Sequence, residues 1–336
     1  MAQGLLEVKG DIELDQFWPL GSSDADTNKI VVKTYDNALR FRPHSGARFR
    51  RTKAFDKAVV KGKTTKVAID DRGRITVRLQ GIDAPELHYR PPAVLKRRER
   101  SDAQHERYLE WNQEYRQHLA ESATVALDAV LRRAGSPVLP CVVRSYVDHP
   151  NDVFDTYGRF VGEVFVQDSG RELSVNTWLV KNGWALPAFY NSMSDSEITT
   201  LTAAADHAWS SGIGVWQTLQ EAVEAFDFKL TYRGKNADIV PDAGPILVPK
   251  VFRRLATWAV NRRATMVSGS FHAYLKKQKD PCITMEDFLQ QGTAAEERQL
   301  WQFVEPDGTL LFWPEELVFK DAPSNLVGPS GPVVAW

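Results

Sequence analysis

Two cysteines in a chain of 336 residues are too few to staple a fold. Cys141 and Cys282 lie far apart, make neither a CxxC pair nor a zinc spacing, and read as reduced core thiols. Long apolar runs are also missing. None approaches the ~20 residues that cross a bilayer, so no membrane span is expected. The first ten residues, Met1 to Gly10, hold no apolar leader core. A cytosolic location is expected, unless export uses a route that the chain does not announce. An overall excess of charge is absent too: 42 basic residues stand against 43 acidic ones, for a net charge of −1. That balance does not exclude a polyanionic partner, because local charge matters more than the total. Residues 40 to 66 carry Arg40, Arg42, Arg48, Arg50, Arg51, Lys53, Lys57, Lys61, Lys63 and Lys66 against Asp56 alone, with Phe41, Phe49 and Phe55 interleaved. Such a tract suits a phosphate-tracking groove with stacking platforms, or equally a solvated hairpin whose phenylalanines pack down.

The composition that remains, 43% hydrophobic and 25% charged, is that of a soluble globular protein. At ~150 residues per domain, the length implies more than one. The most informative stretch is Val77-Arg78-Leu79-Gln80-Gly81-Ile82-Asp83-Ala84-Pro85-Glu86. Val77 and Leu79 share one strand face and Arg78 takes the other, until Pro85 ends any strand. Arg78, Asp83 and Glu86 are thereby brought to one strand end. Carboxylates hold a hard cation and handle a water, and a guanidinium grips a phosphate. That is the equipment of a metal-dependent phosphodiesterase.

This stretch resembles the core motif of the staphylococcal (micrococcal, or thermonuclease) nuclease family. Asp155-Thr156-Tyr157-Gly158-Arg159 resembles a second motif, and Gly183-Trp184-Ala185 with Gly214-Val215-Trp216 a third, in the family's order. The resemblance covers roughly residues 8–217. It implies an α+β fold: an OB-like five-stranded β-barrel with helices, here with insertions at about 33–60 and 88–113, followed by a smaller mixed unit over 218–320 and a Pro/Gly-rich tail over 321–336. Asp24-Ala25-Asp26-Thr27 is similar to the family's Asp-Gly-Asp-Thr turn, whose second Asp is a metal ligand. In the family that turn lies close before the Val-Arg-Leu strand, whereas here some 50 residues intervene, which the first insertion explains. The usual spacing lands on Thr64, which has no carboxylate. Asp24 and Asp26 as simple turn caps is the other reading. Asp70 and Asp71 are read as a hairpin turn.

The resemblance implies that Asp26 and Asp83, with the Ala84 carbonyl, hold Ca2+; the residues alone would permit Mg2+ or Mn2+. Asp24 would orient a water on the ion, and Glu86 would position and deprotonate the attacking water. Arg78 and Arg159 would clamp the phosphate, while Thr156, Tyr157, Phe189 and Tyr190 would contact the substrate. Each has a plain structural alternative: Arg78 paired with Glu86, Arg159 capping a turn, Tyr157 and Phe189 in the core. His88 is read as rim. The implied activity is cleavage of DNA and/or RNA with little sequence specificity, leaving 3′-phosphates. The competing expectation is an inactive barrel used as a nucleic-acid or protein scaffold.

Beyond residue 218 the sequence offers no catalytic constellation. Lys250 to Arg263 is amphipathic, with Arg253, Arg254, Arg262 and Arg263 on or near the polar side. It reads as a solvated face, with a partner or nucleic-acid role as the alternative.

Overall fold

The structure, a computed structural model, describes residues 4–16, 24–32, 39–46, 48–51, 58–60, 64–66, 69–70, 72–148, 150–155, 157–234, 243–321, 326–328 and 331–332. Five strands form the barrel: β1 (Gly4–Glu13), β2 (Thr27–Val32), β3 (Arg74–Leu79), β4 (Val138–Val147) and β5 (Phe160–Asp168). Over most of their length buried residues alternate with more exposed ones, so each has one face in the core. β1 pairs with β2, β2 with β3, β3 with β5, β5 with β4, and β4 back with β1. All of these pairings are antiparallel except β3 with β5. The circuit closes, which leaves the ring without a free edge. Leu6, Val8, Ile30, Val77, Leu79, Val143 and Val164 fill its interior.

The first insertion is placed by register. Thr27 sits opposite Arg78 and Val31 opposite Arg74, so β2 and β3 are neighbours although some forty residues separate them in sequence. Part of the intervening chain, Leu39–Arg42, adds a strand outside β1. Asp70 closes the turn before β3, accepting from the Arg72 and Arg74 amides at 2.9 and 3.0 Å. Asp71, Phe55, Lys53, Lys57, Lys61 and Lys63 lie outside the described residues. Phe49 carries the Arg40 and Arg42 guanidiniums 5.1 and 5.0 Å from its ring centre. That ring faces cations of its own chain.

Helices α1 (Asp102–Trp111), α2 (Ala120–Arg132), α3 (Val175–Lys181) and α4 (Asp195–Ser210) follow, the last three packed on the barrel core, whereas Tyr108 of α1 is buried in a separate apolar cluster. The α2 stripe of Ala123, Leu127, Val130 and Leu131 is buried, as its periodicity demands. Residues 88–118 are less helical than their polarity suggests. Tyr89 and Tyr115 pair as a β-bridge, and Pro91 and Pro92 follow, so the helix is confined to α1.

After residue 218 come α5 (Pro249–Arg263), α6 (Phe271–Leu275) and α7 (Met285–Gln291), the last capped by Thr284. A small mixed sheet joins this part to the barrel part. Its strands include β6 (Phe189–Tyr190), β7 (Pro281–Thr284) and β8 (Leu317–Phe319). β8 pairs antiparallel with β7 and parallel with β6. A second apolar cluster straddles the same junction, with Leu186 and Val215 packed among Val251, Phe252, Leu255 and Leu300. Among the described residues, no helix is long and apolar enough to cross a membrane.

Candidate active site

β3 delivers Arg78 to the rim of the barrel, and the chain then turns sharply at Gly81. That residue has φ +75°, and a Cβ there would sit 2.5 Å from Leu201 Cδ1. Only glycine meets both demands without strain. The next residues, Ile82-Asp83, pair with Leu186-Pro187, which aims Asp83 back at Arg78. Asp26 arrives from the start of β2, directly beside the Thr27–Arg78 register pair. The Arg78 guanidinium then bridges two acids. One nitrogen meets Asp26, and the other donates to Asp83 Oδ1 at 2.6 Å and to the Ile82 carbonyl at 3.1 Å. The Ala84 amide donates to Asp26 Oδ2 at 2.9 Å. The Leu87 amide donates to Asp24 Oδ1 at 3.2 Å, and His88 Nε2 lies 3.8 Å from the same oxygen.

Glu86 stands on the other side of Asp83. Gln117 fixes its backbone, accepting from the Glu86 amide at 3.0 Å and donating its own amide to the Glu86 carbonyl at 2.7 Å. The Glu86 carboxylate meets Arg253, which comes from α5. Arg253 also forks onto Asp83, at 3.3 Å to Oδ1 and 3.1 Å to Oδ2. Asp26, Asp83 and Glu86 are all buried and Asp24 is half-buried. Two guanidiniums thus face four carboxylates.

The energetics follow from that imbalance. Burial pushes the Glu86 carboxyl up to about 7; Arg253 opposes this, and Asp24, Asp83 and Asp26 reinforce it. Burial likewise lifts Asp24 to about 6 against the pull of His88. At Asp83 burial acts the same way, but Arg253 and Arg78 outweigh it and hold the group below its ordinary value. Burial disfavours the Arg78 cation, yet Asp26 and Asp83 raise it above the usual arginine range.

Residues 76–218 match the family described as staphylococcal nuclease homologue. That segment is similar to the domains of this family. No curated protein matches the chain. The match begins within β3 and ends at Thr218, so Asp24, Asp26 and Arg253 all lie outside it. Topology, rather than sequence proximity, brings them to Arg78, Asp83 and Glu86 of the matched segment.

The remaining expected site residues divide. Tyr190 is half-buried beside the cluster; burial first, then the Asp83 charge, raises its phenol. Phe189 is a correction. It is fully buried in the core, because adjacent residues of β6 point to opposite faces, and it offers nothing to a substrate. Arg159 is not brought onto the acids. Its own turn holds it, with Nε donating to Asp155 Oδ2 at 2.7 Å and its cation 5.4 Å from the Tyr157 ring. Tyr157 is 64% exposed, so it is not a core residue. Thr156 lies outside the described residues.

For a cation, the donor chemistry is apt: oxygens of Asp24, Asp26, Asp83, Glu86 and the Ala84 carbonyl suit a hard ion. Among the described residues, however, no three Asp, Glu, His or Cys side chains are grouped as a metal site. The guanidiniums of Arg78 and Arg253 hold the acid oxygens instead. An ion would enter by displacing some of those contacts. Arg253 is the residue that reading the sequence missed. Helical periodicity separates a polar from an apolar face, but does not say which neighbour the polar face meets.

Proposed function

We propose that the protein is a phosphodiesterase that hydrolyses DNA and/or RNA with little sequence specificity and leaves 3′-phosphates. One observation carries this reading: four carboxylates converge on the end of β3 against two guanidiniums. Burying an ion costs several kcal/mol, and an apolar replacement is often as stable or more so. A barrel that needed only a binding face would gain nothing from these acids.

In this reading Glu86 positions and deprotonates the attacking water, with its backbone locked by Gln117. Arg78 sits where it can pass donors from its acids to a phosphate, and its bidentate fork matches that anion. Arg159, 31% exposed at the side chain, is the second phosphate contact and the group that helps the leaving oxygen. Exposed Tyr157 and half-buried Tyr190 flank the substrate. Asp26, Asp83 and the Ala84 carbonyl would hold Ca2+, with Asp24 behind them. Such an ion would add positive charge where the phosphate becomes more negative. The competing reading is a binding scaffold, favoured by the guanidiniums that already occupy the Asp83 oxygens.

A fluorogenic single-stranded oligonucleotide decides between them. It is incubated with protein and Ca2+, then with chelator, and separately with Glu86→Gln. The proposal expects cleavage only in the first case, with the variant reduced ~10²- to 10⁴-fold. Binding without cleavage under every condition would establish the scaffold.

A further inference from the structure

The contacts of α5 go beyond an exposed basic helix. Thr257 Oγ1 lies 2.8 Å from the Tyr89 hydroxyl. Asn261 accepts from the Val94 amide and donates to the Pro92 carbonyl, both at 2.9 Å. Gln117, which fixes Glu86, also donates to the Leu247 carbonyl at 2.7 Å, just before the helix. The loop that follows the acids is therefore pinned to the helix that carries Arg253. Val251, Phe252 and Leu255 anchor that helix in an apolar core. Arg253 is consequently aimed at the acids by a packed element and not by a loose arm.

Its neighbours are sorted by direction. Arg254 turns away to a bidentate pair with Asp280, at 2.7 and 2.5 Å. Lys250 lies one turn before Arg253, on the same side of the helix. Its Nζ stands 3.9 Å from the centre of the Phe319 ring, and it lines a cleft shared with Asp83 and Tyr190. Arg253 itself makes three donor contacts with Asp83 and Glu86, out of the five N–H that a guanidinium carries. Its side chain is 29% exposed, against 7% and 11% for those two acids. The carboxylates thus leave part of the donor set unused on a side chain that is partly open to solvent, which is what a second anion needs.

We propose that Arg253 is a phosphate-contacting residue of the site, so that a substrate phosphodiester lies between the matched segment and α5. Arg253 takes up the part of the clamp facing Arg78, nearer the acids than Arg159, which Asp155 retains in its own turn. Lys250 adds positive field along the same wall. The step at the phosphate rests on the phosphodiesterase reading, but the contact itself does not.

The test uses the full chain, Arg253→Met and Arg253→Lys, with a labelled single-stranded oligonucleotide. Binding is followed by anisotropy in chelator over a range of salt, and cleavage is measured with Ca2+. Arg253→Met is expected to lose ~10-fold in affinity and to lower the slope of log K against log salt by about 0.7 to 1. Its kcat/KM should fall ~10²-fold or more, with Arg253→Lys recovering part, since an ammonium keeps the charge but not the fork. If Arg253→Met fails to fold, as a circular-dichroism melt would show, the Arg253→Lys loss in affinity and kcat/KM carries the test. Unchanged affinity and slope would overturn the inference, as would faster cleavage, which would make Arg253 a plug. Wild-type binding without cleavage would remove the phosphodiesterase reading, while the salt slope would still judge Arg253.

Discussion

Arg78→Met should be among the most costly substitutions in the barrel. Arg78 contacts Asp26, Asp83 and the Ile82 carbonyl, and the two acids are 3% and 5% exposed. Removing one partner of a buried pair typically costs about 3–5 kcal/mol, since the other charge stays buried. Two features place this case at the lower end. Asp83 keeps Arg253, and Asp26 keeps the Ala84 amide and the Thr27 hydroxyl. The expected loss is therefore about 3 kcal/mol, on the order of 10² in the folding equilibrium. Urea unfolding read by tryptophan fluorescence would measure it as a shift in midpoint. Two companions separate charge from packing. Arg78→Met with Asp26→Asn should recover about 2 kcal/mol, because it removes the stranded charge. If the proposed ion binds, Ca2+ at ~100 times its wild-type dissociation constant would stabilise wild type by about 2.7 kcal/mol, and the same concentration would stabilise Arg78→Met by more, since the variant site is more negative. A loss under about 1 kcal/mol, or strictly additive costs in the double variant, would refute the reasoning.

Gly81→Ala should lower stability by about 1–3 kcal/mol, because the added methyl meets Leu201 and Met193 in a left-handed backbone conformation; an unchanged thermal midpoint would contradict this. Lys250 gives a dependence on pH. Burial pushes its ammonium down to about 8, while the unfolded chain titrates it near ~10.4. Between those values the unfolded chain holds the proton more tightly, so this group makes stability rise with pH across the window and weigh most heavily below it. Lys250→Met should remove that component. Parallel stability–pH curves for the two proteins would show the account of Lys250 to be wrong.

The barrel was legible where its chemistry is local. The alternation around Val77 and Leu79, the stop at Pro85 and the α2 stripe can be read without knowing any neighbour. The placement of Asp26 needed more. The likeness of Asp24-Ala25-Asp26-Thr27 to the family's acidic turn made the intervening residues an insertion, and the Thr27–Arg78 register has that form. Phe189 misled because an aromatic beside a tyrosine looks like a stacking pair, although the strand period sends one of the two inward. Arg253 was illegible for a different reason. Its role depends on which polar face of α5 meets which acid, and that is set by the packing of Leu247, Val251 and Phe252 some 160 residues after Glu86. No local pattern encodes such a meeting.

The parallel pairing of β6 with β8 joins Phe189 to Val318 and Tyr190 to Phe319. On the ribosome the barrel emerges first, and at ~5–20 residues per second the segment holding β8 follows several seconds later. Until then Asp83 and Glu86 lack the counter-charge of α5, and Leu186 and Val215 lack their apolar cover. The newborn chain thus passes through an interval with a completed ring and an unfinished acid cluster, in which it is more exposed to aggregation.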